Sequence, residues 1–302
     1  MKKKFLSMCL IAALTVALAA PALTAPAPVH AASFSDVGGH WAEKYIKSAV
    51  NKGFVNGYPD GSFRPDKSVT RAEFTSMVNK AFGNSQTATL RFSDVPYAEW
   101  YYNDISKALA ATYVAGYDDN TFKPDSPITR QEAAVMISRL VPAYGTSGNL
   151  KAYGDYSAIA DWAFTAMQKV NGKGYIGAYD DGLIHPADKL TRAQTAKIIC
   201  DITDKETIVT SDPMVKSSGT KLSGKIYSNG VTLHKDLGSG DATIDNCVIL
   251  GSLSVQGGST STVTVSNSRV ASCLVDKSSL AVAHRGKEYA GEHKAEQQQR
   301  EW

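Results

Sequence analysis

One unit occurs three times along this chain. Trp41, Trp100 and Trp162 recur at two nearly equal steps, and the same steps carry Tyr58 onto Tyr117 and Tyr179 and Pro65 onto Pro124 and Pro186. They also carry Val69-Thr70-Arg71-Ala72-Glu73 onto Ile128-Thr129-Arg130-Gln131-Glu132 and Leu190-Thr191-Arg192-Ala193-Gln194. Coincidence does not generate four aligned features twice over, so the copies are expected to fold alike and to pack on one another.

Each copy opens with an aromatic residue and an acid: Phe34-Ser35-Asp36, Phe92-Ser93-Asp94 and, more loosely, Tyr153-Gly154-Asp155. Trp41, Tyr45, Ala49 and Val50, with Ile46, then fall at helical spacing. Turn residues end that stretch at Tyr58-Pro59-Asp60-Gly61, Tyr117-Asp118-Asp119-Asn120 and Tyr179-Asp180-Asp181-Gly182. A second helix starts at a capping box, Thr70 with Glu73, Thr129 with Glu132 and Thr191 with Gln194. Its apolar face is Phe74, Met77, Val78 and Phe82 in the first copy, Ala133, Met136, Ile137 and Leu140 in the second, and Ile198 and Ile199 in the third. So small a helical pair cannot bury such a face alone, whereas three around a common axis can.

The cap does not account for the arginines. Arg71, Arg130 and Arg192 occupy the first helical position, where the macrodipole disfavours a cation by about 0.3–1 kcal/mol. A local conflict repeated three times marks a functional position. Free helix-start N–H groups together with a guanidinium would make an anion receptor for a carboxylate or phosphate. The competing structural role is a salt bridge, with Asp36 and Asp94 as candidate partners.

The three units, with the Phe-Ser-Asp-Val opening, the tryptophan, the Gly57–Pro65 run Gly-Tyr-Pro-Asp-Gly-Ser-Phe-Arg-Pro and Thr-Arg-Ala-Glu, resemble the S-layer homology (SLH) domain family over about Phe34 to Thr203. The resemblance implies an α-helical pseudo-threefold repeat bundle with grooves between neighbouring units, in copies spanning 32–84, 90–143 and 150–204. It further implies that the grooves bind a secondary cell-wall polysaccharide linked to peptidoglycan, commonly through a pyruvylated terminal sugar, and so hold an exported protein non-covalently on the bacterial surface. On that basis Arg71, Arg130 and Arg192 meet the ketal carboxylate. Trp41, Trp100 and Trp162 either stack on sugar or fill the core, and Gly57, Gly116 and Gly177 shape the rim. For Asp60, Asp119 and Asp181 the turn reading is preferred. The third copy departs most, with Gln194 for the acid and His185 where the others have Arg64 and Lys123; its groove is expected to be weak or empty, and no pH switch is assigned to His185.

From Lys221 to about Ala283 the composition shifts to Ser, Thr, Gly, Asn and Val, in short alternating runs such as Ala242-Thr243-Ile244-Asp245 and Val263-Thr264-Val265-Ser266. Similar rungs recur at a regular interval, which suits a small all-β C-terminal domain of the parallel β-helix or solenoid type over 217–283; an antiparallel sandwich competes. Residues 284–302 read as a mobile tail, and Asn84–Thr89 and Thr203–Gly219 as linkers. No catalytic motif is present, and Asp236, Asp241, Asp245 and Asp276 are scattered, so a non-catalytic surface protein is expected. The alternative is a surface-anchored polysaccharide-active enzyme with the β segment as its catalytic part.

Lys2, Lys3 and Lys4 precede an apolar run, Phe5 to Ala20, and a small-residue exit at Val29-His30-Ala31, the pattern of a signal peptide over 1–31 too short to be a comfortable membrane span. The formal net charge of +3 falls to zero without those lysines, which argues against nucleic acid as a partner. Cys200, Cys247 and Cys273 show no metal-ligand spacing, and no cofactor is expected; a Cys247–Cys273 bridge stays open.

Overall fold

The computed structural model describes residues 34–143, 145, 147–257, 263–276 and 282–285. The leader expected over 1–31 lies outside them, as does the expected tail beyond Arg285. Each copy contributes two helices: α1 (Glu43–Asn51) and α2 (Arg71–Phe82), α3 (Tyr102–Ala110) and α4 (Arg130–Ser138), α5 (Asp161–Gly172) and α6 (Arg192–Lys205). All three capping boxes form, with the threonine hydroxyl accepting from the N3 amide and the Glu or Gln side chain accepting from the threonine amide. The second helices bury the apolar faces read from the sequence.

Helix pairing runs between copies. The second helix of one repeat packs on the first helix of the next, α2 on α3, α4 on α5 and α6 back on α1, so the bundle closes on itself. At the axis three backbone hydrogen bonds form a ring: Val69 N–H to Leu190 O (2.9 Å), Leu190 N–H to Ile128 O (3.0 Å) and Ile128 N–H to Val69 O (3.0 Å). The apolar residue before each cap is fully buried there. No copy can complete this ring without the other two.

The C-terminal part is a parallel solenoid of about three turns. One sheet stacks β3 (Thr220–Ser223), β6 (Ala242–Asp245), β8 (Val263–Ser266) and β10 (Val282–Arg285). The other joins β1 (Thr207–Val209), β2 (Met214–Val215), β4 (Lys225–Tyr227), β5 (Gly230–Leu233), β7 (Val248–Val255) and β9 (Arg269–Val275). Every pairing is parallel, which removes the sandwich alternative. Ala242 and Ile244 point inward with Val263 and Val265, and Thr and Asp alternate outward. Corners are turned by Gly224, Asn246 and Asn267 at positive φ. Gly and Asn tolerate that region best.

Two expectations change. The segment Thr203–Gly219 is not a linker: α6 runs through Lys205, and β1 and β2 join the sheet as strands too short for alternation to reveal. Nor is Asn84–Thr89 free. Ser85 and Gln86 bond Asn229 of the solenoid at 2.6 and 2.8 Å, while Ala88 and Ser106 exchange hydrogen bonds. Ile226, Val248 and Leu250 enter the apolar core of the helices, Ser228 Oγ donates to Phe82 O, and Arg269 donates to Thr112 O and Oγ1. Bundle and solenoid therefore pack as neighbours with a shared core. Cys200, Cys247 and Cys273 are free thiols; Cys247 is buried at a corner and Cys273 in β9 lies opposite Leu253 of β7, so no bridge links them. Among the described residues no helix is long and apolar enough to cross a membrane.

Candidate functional site

The starts of α2, α4 and α6 converge on the threefold axis, and their N–H groups are not free. The arginine amides donate to the neighbouring repeat, Arg71 to Ser126 O, Arg130 to Asp188 O and Arg192 to Lys67 O, each at 2.9 Å. The next amides, of Ala72, Gln131 and Ala193, donate to Pro124 O, Pro186 O and Pro65 O, and the third set is taken by the capping threonines. The expected anion receptor of open helix-start amides is thereby ruled out. Closing the ring uses those donors, a tertiary effect that spacing cannot reveal.

Each arginine side chain crosses into the next copy and is 5% exposed. Nε donates to a backbone carbonyl in every case: Arg71 to Phe122 (2.9 Å), Arg130 to Ile184 (2.8 Å) and Arg192 to Phe63 (2.8 Å). Arg130 Nη2 reaches Gly177 O and Arg192 Nη2 reaches Asn56 O, at 2.6 and 2.7 Å. Their guanidinium carbons lie 4.4–4.9 Å from the centres of Tyr179, Tyr58 and, for Arg71, Tyr117. Burial pushes all three pKa values down, opposed by the adjacent tyrosines and acids. Buried, they still carry charge, because a guanidinium does not deprotonate in proteins. Arg71 alone approaches a carboxylate, Glu132 at 3.5 Å.

Asp36 and Asp94 do not form the salt bridge considered for them. With Asp155 they grip two successive backbone amides in each copy, Phe63 and Arg64, Phe122 and Lys123, Ile184 and His185, at 2.7–2.9 Å. The second residue of each pair is left-handed: Arg64, Lys123 and His185 have φ of 55°, 57° and 47°. For a non-glycine residue that conformation costs roughly 1–2 kcal/mol. Three basic residues held that way, where Gly or Asn would fit without strain, are the kind of outlier that collects at functional sites. Their charged ends lie by the same tyrosines as the buried arginines, Arg64 4.1 Å from Tyr58, Lys123 4.1 Å from Tyr117 and His185 5.2 Å from Tyr179. Each tyrosine is thus shared by a buried arginine from one copy and a base from another, exposed at Arg64 and Lys123 and half-buried at His185. Sequence reasoning assigns these tyrosines and bases no binding role, although both recur at the repeat steps and could have been found that way.

The tryptophans resolve to the surface. Trp41, Trp100 and Trp162 are 56%, 59% and 61% exposed and precede or open the first helix, whose inward stripe is instead Ile46 and Ala49 in α1, behind the buried N-cap Ala42. Each is linked to a junction through a residue close to it in sequence. His40, beside Trp41 (ring centres 5.5 Å), bonds Asp66, next to the carbonyl that caps α6. Trp100 packs edge-on to Tyr101 at 5.4 Å, which feels Asp125, next to the carbonyl that caps α2. Ala160, two residues before Trp162, donates to Gln131 at the start of α4. Gly57 and Gly116 are dictated by close approach, since a Cβ would lie 2.1 Å from the Phe34 ring and 2.3 Å from the Phe92 ring. Gly177 does not belong with them: the repeat step carries Gly116 onto Ala178, and Gly177 stands where Asn56 stands, its carbonyl accepting from Arg130 as that of Asn56 accepts from Arg192, with nothing within 4 Å of an added Cβ. Asp60, Asp119 and Asp181 accept from the amide two residues on, at 2.9–3.0 Å, and so hold the turn.

A closed ring of three two-helix repeats with an exposed indole in every repeat defines the class. Residues 33–75, 91–134 and 152–196 each match the family model described as S-layer homology domain: this chain carries three tandem SLH domains. Among curated relatives, the amylopullulanase of Thermoanaerobacterium thermosulfurigenes is 29% identical over 178 residues, 57% of this chain and 10% of that protein. The cellulosome-anchoring protein of Acetivibrio thermocellus is 45% identical over 76 residues, 24% of this chain and 17% of that protein. The surface layer protein of Brevibacillus choshinensis is 36% identical over 102 residues, 32% of this chain and 9% of that protein. The chain spans less than a fifth of the length of each. SLH domains in such company point to an extracellular, cell-wall-associated protein.

Proposed function

We propose that this protein anchors itself to the bacterial cell surface by binding an anionic, pyruvylated secondary cell-wall polysaccharide at the inter-repeat junctions, without catalysing any reaction. The observation that carries the reading is the threefold exposure of Trp41, Trp100 and Trp162, each more than half open, in a bundle whose junction tyrosines Tyr58 and Tyr117 carry exposed cations. An indole face meets a sugar ring, and a ketal carboxylate is a small fixed anion. Arg64, Lys123 and His185 reach that anion from the rim. Arg71, Arg130 and Arg192 act behind them, locking neighbouring copies together and lending the junction positive charge. The β-solenoid serves as a display or interaction module, packed on the bundle rather than swinging from it.

The test is sedimentation of the full chain with purified wall sacculi before and after chemical stripping of the secondary polymer, at low and high salt. Binding should vanish with the polymer, weaken with salt because the cations lie near the surface, and be lost when Trp41, Trp100 and Trp162 are all replaced by alanine. Undiminished binding to stripped sacculi, or by the triple variant, would refute the reading. Hydrolysis of wall polymer by the full chain would favour the enzymatic alternative.

A further inference from the structure

The three junctions share one backbone plan and differ at several side-chain positions, among them Asp66, Asp125 or Ala187 and Ser68, Pro127 or Lys189; three more bear on the tyrosine. The left-handed base is Arg64, Lys123 or His185. The residue whose carbonyl caps the neighbouring helix is Lys67, Ser126 or Asp188. The capping-box residue is Glu73, Glu132 or Gln194. The turn acid of each copy contacts the left-handed base: Asp60 on Arg64 at 2.8 Å, Asp119 on Lys123 at 3.8 Å, Asp181 on His185 at 2.7 Å. The Tyr58 junction therefore adds two permanent cations to its buried arginine, and the Tyr117 junction adds one. The Tyr179 junction adds an imidazole and, in Asp188, an acid.

Resting on the anchoring reading above, we propose that the junctions are not interchangeable: the Tyr58 junction holds a ligand carboxylate throughout the neutral range, whereas the Tyr179 junction takes one only when His185 carries its proton. With His185 neutral, an incoming carboxylate meets Asp181 and Asp188 with no exposed cation standing where Arg64 and Lys123 stand. Protonation restores that cation.

The groups facing His185 come from every side. Asp181 lies on Nε2 at 2.7 Å and Asp188 near Nδ1 at 3.8 Å. Asp155 accepts the His185 amide at 2.8 Å, and the Tyr179 ring lies edge-on, shared with Arg130 of the preceding repeat. Asp181 first, with Asp188 and Asp155 behind it, holds the imidazole above its ordinary value, which favours the protonated form. Protonation then meets a junction already arranged to donate. A backbone amide can only donate. Gln194 Oε1 therefore faces the Thr191 amide at 3.0 Å, which leaves Gln194 Nε2 to donate to Tyr179 Oη at 2.8 Å. Tyr179 does not spend its own hydroxyl hydrogen on the cap. Tyr117 does, on Glu132 at 2.7 Å.

Each repeat has its own exposed indole, which makes the proposal measurable repeat by repeat. The full chain is titrated with a synthetic methyl hexoside bearing one pyruvate ketal, following the indole N–H resonances of Trp41, Trp100 and Trp162 by NMR, assigned through Trp→Phe variants. At about pH 5.5 the affinity reported by Trp162 should be about tenfold tighter than at about pH 8, and that reported by Trp41 should change by less than about twofold. His185→Arg, which copies the residue that the first repeat holds in this conformation, should make the Trp162 response equally tight at both pH values. His40→Gln should leave the Trp162 difference intact. A Trp162 response independent of pH, or a pH dependence that survives His185→Arg, overturns this inference alone. Silence at all three indoles at both pH values overturns the anchoring reading and the inference with it.

Discussion

Both halves of this molecule are built from repeats, yet the helical half closes and the β half stays open. In the bundle each copy gives a helix to the next until α6 returns to α1, and the Val69, Leu190 and Ile128 amides complete a ring. In the solenoid each turn meets only the turns above and below, as in β3, β6, β8 and β10. Closure fixes the copy number at three and creates junctions composed of two copies each. An open stack fixes no number and offers a continuous face. Composite sites therefore arise in the bundle, because an arginine from one repeat and a tyrosine from the next must meet there.

Substitutions put that contrast to the test. The largest effect is expected from Arg192→Ala, which orphans the Phe63 and Asn56 carbonyls and unlocks the ring. It should lower stability by about 2–4 kcal/mol and shift the whole helical transition in calorimetry. Were only the third repeat to loosen, closure would not be the organising principle. Gly251→Ala comes next. Its Cβ would fall 1.3 Å from Asn229 O, at the register shift in β7. A loss of about 2–3 kcal/mol is expected, with hydrogen exchange rising first in the solenoid. Equal deprotection of α1 to α6 would contradict the stacked description.

Smaller effects separate positions along the repeat. In Gly116→Ala the new methyl meets the Phe92 ring and, at 2.8 Å, the Thr121 carbonyl, whereas Gly177→Ala enters open space. The first should cost about 1–3 kcal/mol in denaturant titration. The second should be close to neutral in the same measurement, as surface substitutions away from special features usually are. The smallest change in stability per site belongs to the combined Trp41→Ala, Trp100→Ala and Trp162→Ala variant, because these side chains are mostly exposed. Its melting should match the parent closely, paired with complete loss of sacculus binding. A variant that melts early would return the indoles to a structural role.

Much of the helical half was legible because its signals are local. Thr70, Thr129 and Thr191 with their N3 partners announce helix starts through chemistry confined to a single turn, and all three boxes form. Alternation in Ala242–Asp245 and Val263–Ser266 announced strands, and the recurrence of similar rungs announced stacking; Ile244 duly pairs with Val265. Legibility failed where partners are distant in sequence. Trp41 fits a helical stripe by spacing, but the chain enters α1 only at Glu43, and the indole is left outside. Asp36 lies far along the chain from the Phe63 and Arg64 amides it binds, so the left-handed turn it imposes on Arg64 left no local trace.

The sequence by itself determined the unit: its two helices, its caps, its threefold recurrence and the change to β-rich composition, all of which depend on neighbours a few positions apart. Only the tertiary structure decided where the charges and rings went. It turned Arg71, Arg130 and Arg192 inward onto backbone carbonyls, left three indoles in solvent and put His185 between Asp181 and Asp188. The physical reason is that closing a ring satisfies amides that an isolated helix would leave open. A residue's use then depends on which other copy it faces.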